Sequence, residues 1–309
     1  MTLNNKLTTL VGIIILIIFI TACAKNENDT KDKTSSKLFI AVGAQGTLLT
    51  SSDGKSWTAE TSGTSNNLRA VAYGNSTLVT VGSSGTILTS SDGTSWTSRT
   101  SGTSNFLGNV NFGNGIFVAV GKSGTILTSS DGINWSSKTS GTSEDLWGVS
   151  YGNSIWVTTG DNETLLTSSD GSTWTSRSTS GATVNNEIIF ENSNFIALGN
   201  SGTIITSSNG TSWDNRTSGT TQHLLAGTYS NNKFIVVGFS GTVLSSSDGI
   251  NWSSKTSGTS ENLWGIAYGN NIFVTVGESG NIFTSSDSNT WTSRDSGTSV
   301  RFRRVFYKE

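Results

Sequence analysis

A block of 39 residues repeats seven times along this chain, without any insertion or deletion between the copies. The final copy is one residue short of a full period and ends at Glu309. Copies of constant length predict seven equivalent structural units that pack on one another, because a unit this short buries little apolar surface alone. The copies start at Leu38, Thr77, Ile116, Ile155, Asn194, Lys233 and Ile272.

Each copy contains four short segments with the composition of β-strands. In the third copy they are Ile116–Gly121, Gly124–Ser130, Trp135–Ser140 and Leu146–Tyr151, bounded by residues that favour turns. No segment has the apolar period of a helix. Four strands in about 40 residues are typical of a propeller blade, and propellers have about 4–8 blades. We therefore predict an all-β, seven-bladed β-propeller with four-stranded antiparallel blades; an open β-solenoid, which would need distinct capping repeats, is the alternative.

The most specific local signal is an Asp-Gly turn followed by a tryptophan, as in Asp53-Gly54-Lys-Ser-Trp57. Glycine accepts a positive φ and the aspartate side chain accepts hydrogen bonds from the turn backbone, so this pair predicts a tight hairpin between two strands. We interpret the repeated acids as structural, because one carboxylate per turn is too few ligands for calcium. The turn positions are Asp53, Asp92, Asp131, Asp170, Asn209, Asp248 and Asp287, and the tryptophans are Trp57, Trp96, Trp135, Trp174, Trp213, Trp252 and Trp291.

This turn resembles the Asp-box, or BNR repeat, of sialidases and of the photosystem II stability and assembly factor family. Here the glycine directly follows the aspartate and the tryptophan comes one residue sooner than in the usual pattern. The resemblance implies that the motif joins the third and fourth strands of a blade, far from the binding face. It also implies that Leu68–Tyr73 is an innermost strand and Leu78–Gly82 a second strand.

The first copy then begins at a second strand and lacks an innermost one. The C-terminal segment Phe302–Tyr307 aligns with Leu68–Tyr73 and can supply the missing strand. We predict a composite first blade that closes the ring, which removes the exposed sheet edges at both ends of the array.

Residues 1–22 have the pattern of a lipoprotein signal peptide. Lys6 precedes an apolar stretch of about 14 residues, which is short for a membrane span of about 20. Ile20-Thr-Ala-Cys23 resembles a bacterial lipobox, so we expect acylation of Cys23, with 23–37 as a tether and 38–309 as the propeller. A plain signal peptide or an uncleaved anchor is the alternative. The expected location is the bacterial cell envelope, on the outer membrane if the cell is Gram-negative.

Catalytic and cofactor chemistry has little support in the sequence. The single histidine, His223, excludes a multi-histidine metal site, and no nucleotide-binding motif is present. The chain has no proline, so the Phe/Tyr-Arg-Ile-Pro motif of sialidases is absent. Residues 38–309 carry 14 lysines and arginines against 18 acids, which argues against nucleic acid as a partner. We expect a monomer without metal, cofactor or catalytic residues.

The copies differ mainly in the loops before the innermost strands and in the first residues of those strands. Two features there are candidate ligand-binding residues, at the mouth of the predicted channel. Arg69, Arg301, Arg303 and Arg304 could form a basic sector for an acidic partner, unless the terminal strand carries arginines only for solubility. Trp147 and Trp264 could stack on a sugar or anchor a protein loop, unless they only pack between blades.

The functional prediction is a lipid-anchored scaffold that binds a protein partner at the mouth. Glycan binding by a lectin-like or degenerate sialidase-like propeller is the alternative. A glycosidase is a third reading, and it would need two carboxylates about 5–10 Å apart in the channel.

Overall fold

The computed structural model describes residues 37–179 and 181–309. The predicted signal peptide, Cys23 and most of the predicted tether lie outside these residues. Within them no helix is long and apolar enough to cross a membrane. The described chain forms 28 β-strands and five single turns of 3-10 helix.

The strands are short and follow one another at regular intervals, as the repeat predicts. Their bounds are β1 Leu38–Gly43, β2 Leu48–Ser51, β3 Thr58–Ala59, β4 Leu68–Gly74, β5 Thr77–Gly82, β6 Ile87–Ser90, β7 Thr97–Arg99, β8 Leu107–Gly113, β9 Ile116–Gly121, β10 Thr125–Ser129, β11 Ser136–Lys138, β12 Leu146–Gly152, β13 Ile155–Gly160, β14 Leu165–Ser168, β15 Thr175–Ser176, β16 Glu187–Glu191, β17 Asn194–Leu198, β18 Ile204–Ser207, β19 Asp214–Arg216, β20 Leu224–Ser230, β21 Lys233–Gly238, β22 Val243–Ser246, β23 Ser253–Lys255, β24 Leu263–Gly269, β25 Ile272–Gly277, β26 Ile282–Ser285, β27 Thr292–Arg294 and β28 Phe302–Lys308.

The strands form seven four-stranded antiparallel sheets, which are the blades of a β-propeller. Blades 2 to 7 each use four consecutive strands, beginning with β4, β8, β12, β16, β20 and β24. The first strand of each blade contacts the first strand of the next, so these strands line the centre of a closed ring. The predicted seven-bladed propeller is confirmed.

The first blade is composite, as predicted. Its sheet order is β28-β1-β2-β3, and β28 pairs antiparallel with β1 from Leu38 opposite Lys308 to Gly43 opposite Phe302. β28 also contacts β24 and β4, the innermost strands on either side. Its residues Phe302 and Val305 are buried, at 0% and 2% exposure. The last strand of the chain therefore closes the ring.

The core consists of seven apolar clusters, one at each contact between neighbouring blades in the described chain. In one of them Val79 of blade 2 packs with Phe117 of blade 3, and both are fully buried. Each second strand reads as a continuous apolar run because both of its faces are covered by adjacent blades. The blades are therefore held together by burial of apolar surface, and no blade has a complete core alone.

The turns of this motif connect the third and fourth strands, and six of the seven share one hydrogen-bond pattern. In the first blade the Asp53 Oδ1 atom accepts bonds from the backbone N–H groups of Lys55 and Ser56, at 2.8 and 2.9 Å. The Trp57 Nε1–H donates to the carbonyl of Gly54 at 3.2 Å. The backbone donors of the turn hold the pKa of Asp53 below its usual value, because they stabilise the charged carboxylate. Asn209 accepts the same two backbone bonds without a charge.

The turn of the seventh blade departs from this pattern, since Ser288 replaces the glycine. Ser288 is buried and keeps a positive φ of 63°, while the six equivalent glycines have φ between 72° and 87°. Its hydroxyl donates to the carbonyl of Asp287, and Trp291 Nε1 has no hydrogen-bond partner in the described structure.

We predict that Ser288→Gly stabilises the protein by about 1 kcal/mol. A left-handed conformation costs a residue with a Cβ atom about 1–2 kcal/mol, and part of the gain is offset because glycine increases the conformational entropy of the unfolded chain. Denaturant unfolding measures the change. The matched control is Gly249→Ser in the preceding blade, which should destabilise by a similar amount. Equal stability of the Ser288 variant and the parent would show that the turn is not strained.

Glu191 occupies another position where most copies have glycine. At the equivalent Gly152 an added Cβ would lie 2.0 Å from the Phe190 ring of the next blade, so a side chain here has little room. Glu191 makes no ion pair within the described residues. Burial raises the pKa of this carboxyl to about 7.

A raised carboxyl pKa stabilises the fold below about pH 4.5, where Glu191 is protonated in both states, and this contribution is lost as the pH rises through about 7. Because glutamine does not ionise, we expect Glu191→Gln to be more stable than the parent protein by roughly 1–2 kcal/mol at pH 8 and equally stable at pH 4. Thermal unfolding across this pH range tests it. A gain that is the same at both pH values would contradict the titration.

Candidate functional site

One end of the channel gathers the residues in which the copies differ most. The equivalent positions at the start of each innermost strand all line one small space on the axis of the ring. These positions are Arg69, Gly108, Trp147, Asn186, Leu225, Trp264 and Arg303. The ring therefore brings together seven residues spaced 39 apart in sequence, and we call this end the mouth.

The next position along the innermost strands is crowded by the neighbouring backbone. A Cβ added at Gly265 would lie 2.9 Å from the Cα atom of Arg304, and one at Gly148 would lie 2.8 Å from the backbone nitrogen of Ile188. Four of the seven copies therefore carry glycine or alanine here. The other three carry Asn109, Glu187 and Arg304.

Those three side chains meet at the centre of the channel. The Arg304 guanidinium makes a two-bonded ion pair with the Glu187 carboxylate, with Nη2 at 2.7 Å from Oε1 and Nη1 on Oε2. The Asn109 Nδ2 atom donates to Glu187 Oε1 at 3.3 Å. Because the residues come from blades 1, 5 and 3, which are not adjacent, the contacts cross the channel. We call the Arg304–Glu187 contact the central ion pair.

The central ion pair closes the channel below the mouth. The side chains of Arg304 and Glu187 are only 19% and 5% exposed, and the remaining space is about 10 Å³, enough for at most one water molecule. Burial lowers the pKa of Arg304, but the charge and hydrogen bonds of Glu187 outweigh burial, and the pKa is raised. Arg304 is therefore held by a structural partner.

Trp264 lies inside a shell of arginines. The Arg303 guanidinium is 4.0 Å from the centre of the indole ring, and those of Arg301 and Arg69 are at 5.6 and 5.8 Å. The indole Nε1–H donates to Glu278 Oε1 at 2.7 Å, and the same oxygen is 3.6 Å from Arg301 Nη1. Such cation–π contacts stabilise the guanidinium groups beside the ring. The face of Trp264 is thus covered by Arg303.

The four arginines at the mouth differ in their charge balance. Arg304 pairs with Glu187 and Arg301 pairs with Glu278, whereas Arg69 and Arg303 make no ion pair with any described residue. Burial and then the charge of Arg304 lower the pKa of Arg69 to about 10. Burial and then the charge of Arg69 lower the pKa of Arg303 to about 9. Both stay cationic at neutral pH, at a cost that a bound anion would relieve.

Arg69 and Arg303 form one wall of a cavity of about 350 Å³ at the mouth. The opposite side carries Trp147, whose ring is 5.9 Å from that of Phe106, and Asp161, which accepts the Trp147 Nε1–H at 2.9 Å. The cavity, which we call the mouth pocket, is lined by Asn67, Leu68, Arg69, Phe106, Trp147, Asp161, Asn185, Asn186 and Arg303.

Three of the variable loop residues accept hydrogen bonds from the backbone of a neighbouring loop. Asn67, Asp145 and Asn262 precede innermost strands, and their Oδ1 atoms accept bonds from the backbone N–H groups at Gln45, Ser123 and Ser240 at 2.8–3.0 Å. Each such bond caps the loop between the second and third strands of the preceding blade. Variation among the copies at this loop therefore has a structural component.

The structure thus brings five of the six predicted ligand-binding residues, Arg69, Trp264, Arg301, Arg303 and Arg304, into one cluster, and places Trp147 on the other side of the mouth pocket. Glu187 and Asn109 were not among the predicted ligand-binding residues. The sequence does distinguish them. Four copies carry glycine or alanine at this position, and outside the closing strand only Asn109 and Glu187 carry a larger, polar side chain there.

No protein-family model matches the chain, and no curated protein matches it. Solved structures do resemble it. One is titled YCF48 bound to D1 peptide, with a TM-score of 0.64, 20% identity, and coverage of 79% of this chain and 86% of that one. YCF48 from Cyanidioschyzon merolae has a TM-score of 0.60 and 17% identity, with 75% and 86% covered. Virginiamycin B lyase from Staphylococcus aureus has a TM-score of 0.66 and 9% identity, with 73% and 83% covered. At these identities the likeness shows the propeller fold alone.

Proposed function

We propose that this propeller is a binding scaffold that takes an acidic segment of a partner protein at its mouth. The observation that carries the proposal is the pair of guanidinium groups of Arg69 and Arg303, which make no ion pair with a described residue and form the wall of a cavity of about 350 Å³. The rest of the described chain is mildly acidic, so this local excess of positive charge is specific to the mouth.

A carboxylate is the group that best matches the two arginines. Each guanidinium can donate two parallel hydrogen bonds to a carboxylate, and such bonds are stronger where water is partly excluded. The repulsion between Arg69 and Arg303, which lowers the pKa of Arg303, would be relieved by an anion placed between them. Trp147 and Phe106 supply apolar surface beside that position, as in the centre of many protein interfaces.

The scaffold role is supported by the fold of the similar structures. YCF48, a propeller of the same architecture, has been captured with a D1 peptide. A rigid ring with one variable face suits recognition of a partner, because it needs little ordering on binding. Nothing in the proposal requires a chemical step at the mouth.

We further propose that the scaffold is tethered to the bacterial cell envelope by an acylated Cys23. The support is the short apolar stretch followed by Ile20-Thr-Ala-Cys23 and a polar segment before β1. Mass spectrometry of the mature N-terminus tests it, since an acylated cysteine should be the first residue. A mature chain that starts elsewhere, or a Cys23→Ser variant that stays with the membrane fraction, would exclude lipid anchoring.

Arg303→Glu should weaken the binding of an acidic peptide at the mouth. An N-acetylated, amidated hexaglutamate peptide is a suitable probe, with a hexaserine peptide as its neutral counterpart. We expect the affinity for hexaglutamate to fall at least about tenfold in the variant, and to fall with added salt in the parent protein. Fluorescence anisotropy with labelled peptides measures both effects.

The matched control is Arg99→Glu, which makes the same charge change on an outer strand, where Arg99 Nε donates to Thr89 Oγ1 at 2.8 Å. It should leave the affinity within about twofold, because β7 lies three strands out from β4 and a strand spacing of about 4.8 Å places it beyond a Debye length of about 8 Å. Equal losses in both variants would mean that the peptide responds only to net charge. Parent protein that binds hexaglutamate and hexaserine equally would contradict the proposal.

Glycan recognition is the second candidate, and Trp147 is the observation that favours it. Its ring borders the mouth pocket that Arg69 and Arg303 also line, an arrangement that could take an acidic sugar. The equivalent Trp264 contributes less, since Arg303 covers its face at 4.0 Å. Binding on a glycan array that Trp147→Ala abolishes and Arg99→Glu does not affect would favour the glycan over the peptide.

A further inference from the structure

The wall of the mouth pocket opposite the arginines carries hydrogen-bond acceptors. Asp161 Oδ1 already accepts bonds from Trp147 Nε1 at 2.9 Å and from Asn185 Nδ2 at 3.5 Å. Its second oxygen accepts no hydrogen bond, and its carboxylate makes no ion pair, with any residue the structure describes. A negative charge is thus available across the cavity from the two arginines.

Asn185 adds an unsatisfied acceptor to the same wall. Its Oδ1 atom is buried and has no hydrogen-bond partner in the described structure. A buried carbonyl oxygen without a donor costs about 1–3 kcal/mol, so the site would gain by receiving one. Because the Asn185 Nδ2–H is directed at Asp161, the amide oxygen cannot be satisfied by Asp161.

The two walls of the mouth pocket therefore favour ligand groups of opposite charge. Arg69 and Arg303 require an acceptor with negative charge, while Asp161 and Asn185 require a donor with positive charge. Leu68, Phe106 and Trp147 line the cavity beside them and keep much of the surface apolar. A volume of about 350 Å³ is at the lower end of ligand pockets, which fits a group the size of a single amino acid with its neighbouring atoms.

We infer that the mouth pocket binds a zwitterionic group, with a carboxylate between Arg69 and Arg303 and an ammonium against Asp161 and Asn185. This inference rests on the proposed function for the carboxylate and adds the ammonium. Two sources share the chemistry: the first residue of a partner chain when that residue is acidic, and a free acidic amino acid. A purely anionic segment would leave Asp161 facing a second negative charge and would bind less well.

The test compares Glu-Ala-Ala-Ala-amide with its N-acetylated form by calorimetry, because acetylation removes the ammonium and keeps the carboxylate. We expect the free-amine peptide to bind the parent protein at least tenfold more tightly. Asp161→Asn should lower the affinity for the free-amine peptide about tenfold and raise that for the acetylated one, so that the preference disappears. Glu261→Gln, at an exposed site in the loop before β24, is the charge-matched control and should keep the preference.

Asn185→Asp is a second variant, which should strengthen the preference for the free amine because it adds a negative charge to the same wall. It keeps the inference testable if Asp161→Asn loses the Trp147 bond and fails to fold.

Free L-glutamate that binds as tightly as the peptide would identify a small molecule as the source, and weaker binding would identify a chain terminus.

Equal affinity of the parent protein for the two peptides overturns the inference and leaves the proposed function standing. A preference that survives Asp161→Asn unchanged also overturns it. Absence of binding by either peptide, together with no binding of hexaglutamate, would instead overturn the proposed function.

Discussion

A chain that ends at Ser299 should not fold into a cooperative propeller. It lacks β28, so β1 loses its partner along Leu38–Gly43, and the innermost strands β24 and β4 lose the strand packed between them. Removing the fully buried Phe302 side chain alone costs about 3–5 kcal/mol. The strand as a whole contributes more than this, and proteins have a total stability of only about 5–15 kcal/mol. We expect loss of the cooperative thermal transition, and aggregation through the exposed edge of β1.

A chain that lacks only Glu309 is the control for this truncation, because Glu309 is exposed and lies beyond β28. It should melt like the full chain. A synthetic peptide covering 299–309, added in trans, should restore the transition if the missing strand is the cause. A truncated chain that melts at the temperature of the full chain would contradict ring closure by β28.

Glu187→Gln should destabilise the propeller by about 3–5 kcal/mol, since it leaves the Arg304 charge buried at the centre of the channel without a counter-charge. The double variant Glu187→Met with Arg304→Met should recover most of that loss, because replacing a buried pair by apolar side chains of similar size is often neutral. Denaturant unfolding of Glu187→Met, Arg304→Met and the double variant gives the coupling energy of the pair.

The exposed pair of Arg216 with Asp214 is the internal control for this cycle. The two groups are 2.9 Å apart, but the Asp214 side chain is 74% exposed, so Asp214→Asn should change the stability by only a few tenths of a kcal/mol. If Glu187→Gln is equally mild, the centre of the channel admits enough water to screen Arg304, and the closed channel described above is wrong.

Sequence reasoning predicted the number of blades, the strand order within a blade and the closing strand. These features follow from local signals, because a strand needs a short apolar run and a turn needs residues such as Asp53 and Gly54 within one hydrogen-bonded loop. The repeat then multiplied each signal seven times. Even the closure was readable, since Phe302–Tyr307 matches the strand that the first copy lacks.

The candidate site was only partly predictable. The four arginines at the mouth were identified, but the sequence could not show that Arg301 and Arg304 are neutralised by Glu278 and Glu187 while Arg69 and Arg303 are not. Trp147 and Trp264 are equivalent in sequence, yet Arg303 covers only the second of them.

The sequence by itself determined the architecture and the face on which the copies differ. Only the tertiary structure decided which charges are paired and where the cavity lies. The physical reason is range: turns and strands depend on hydrogen bonds between near neighbours, whereas Arg304 and Glu187 are 117 residues apart and meet because seven blades close around one axis. The pocket that places two arginines without an ion pair across from Asp161 and Asn185 is a product of that closure.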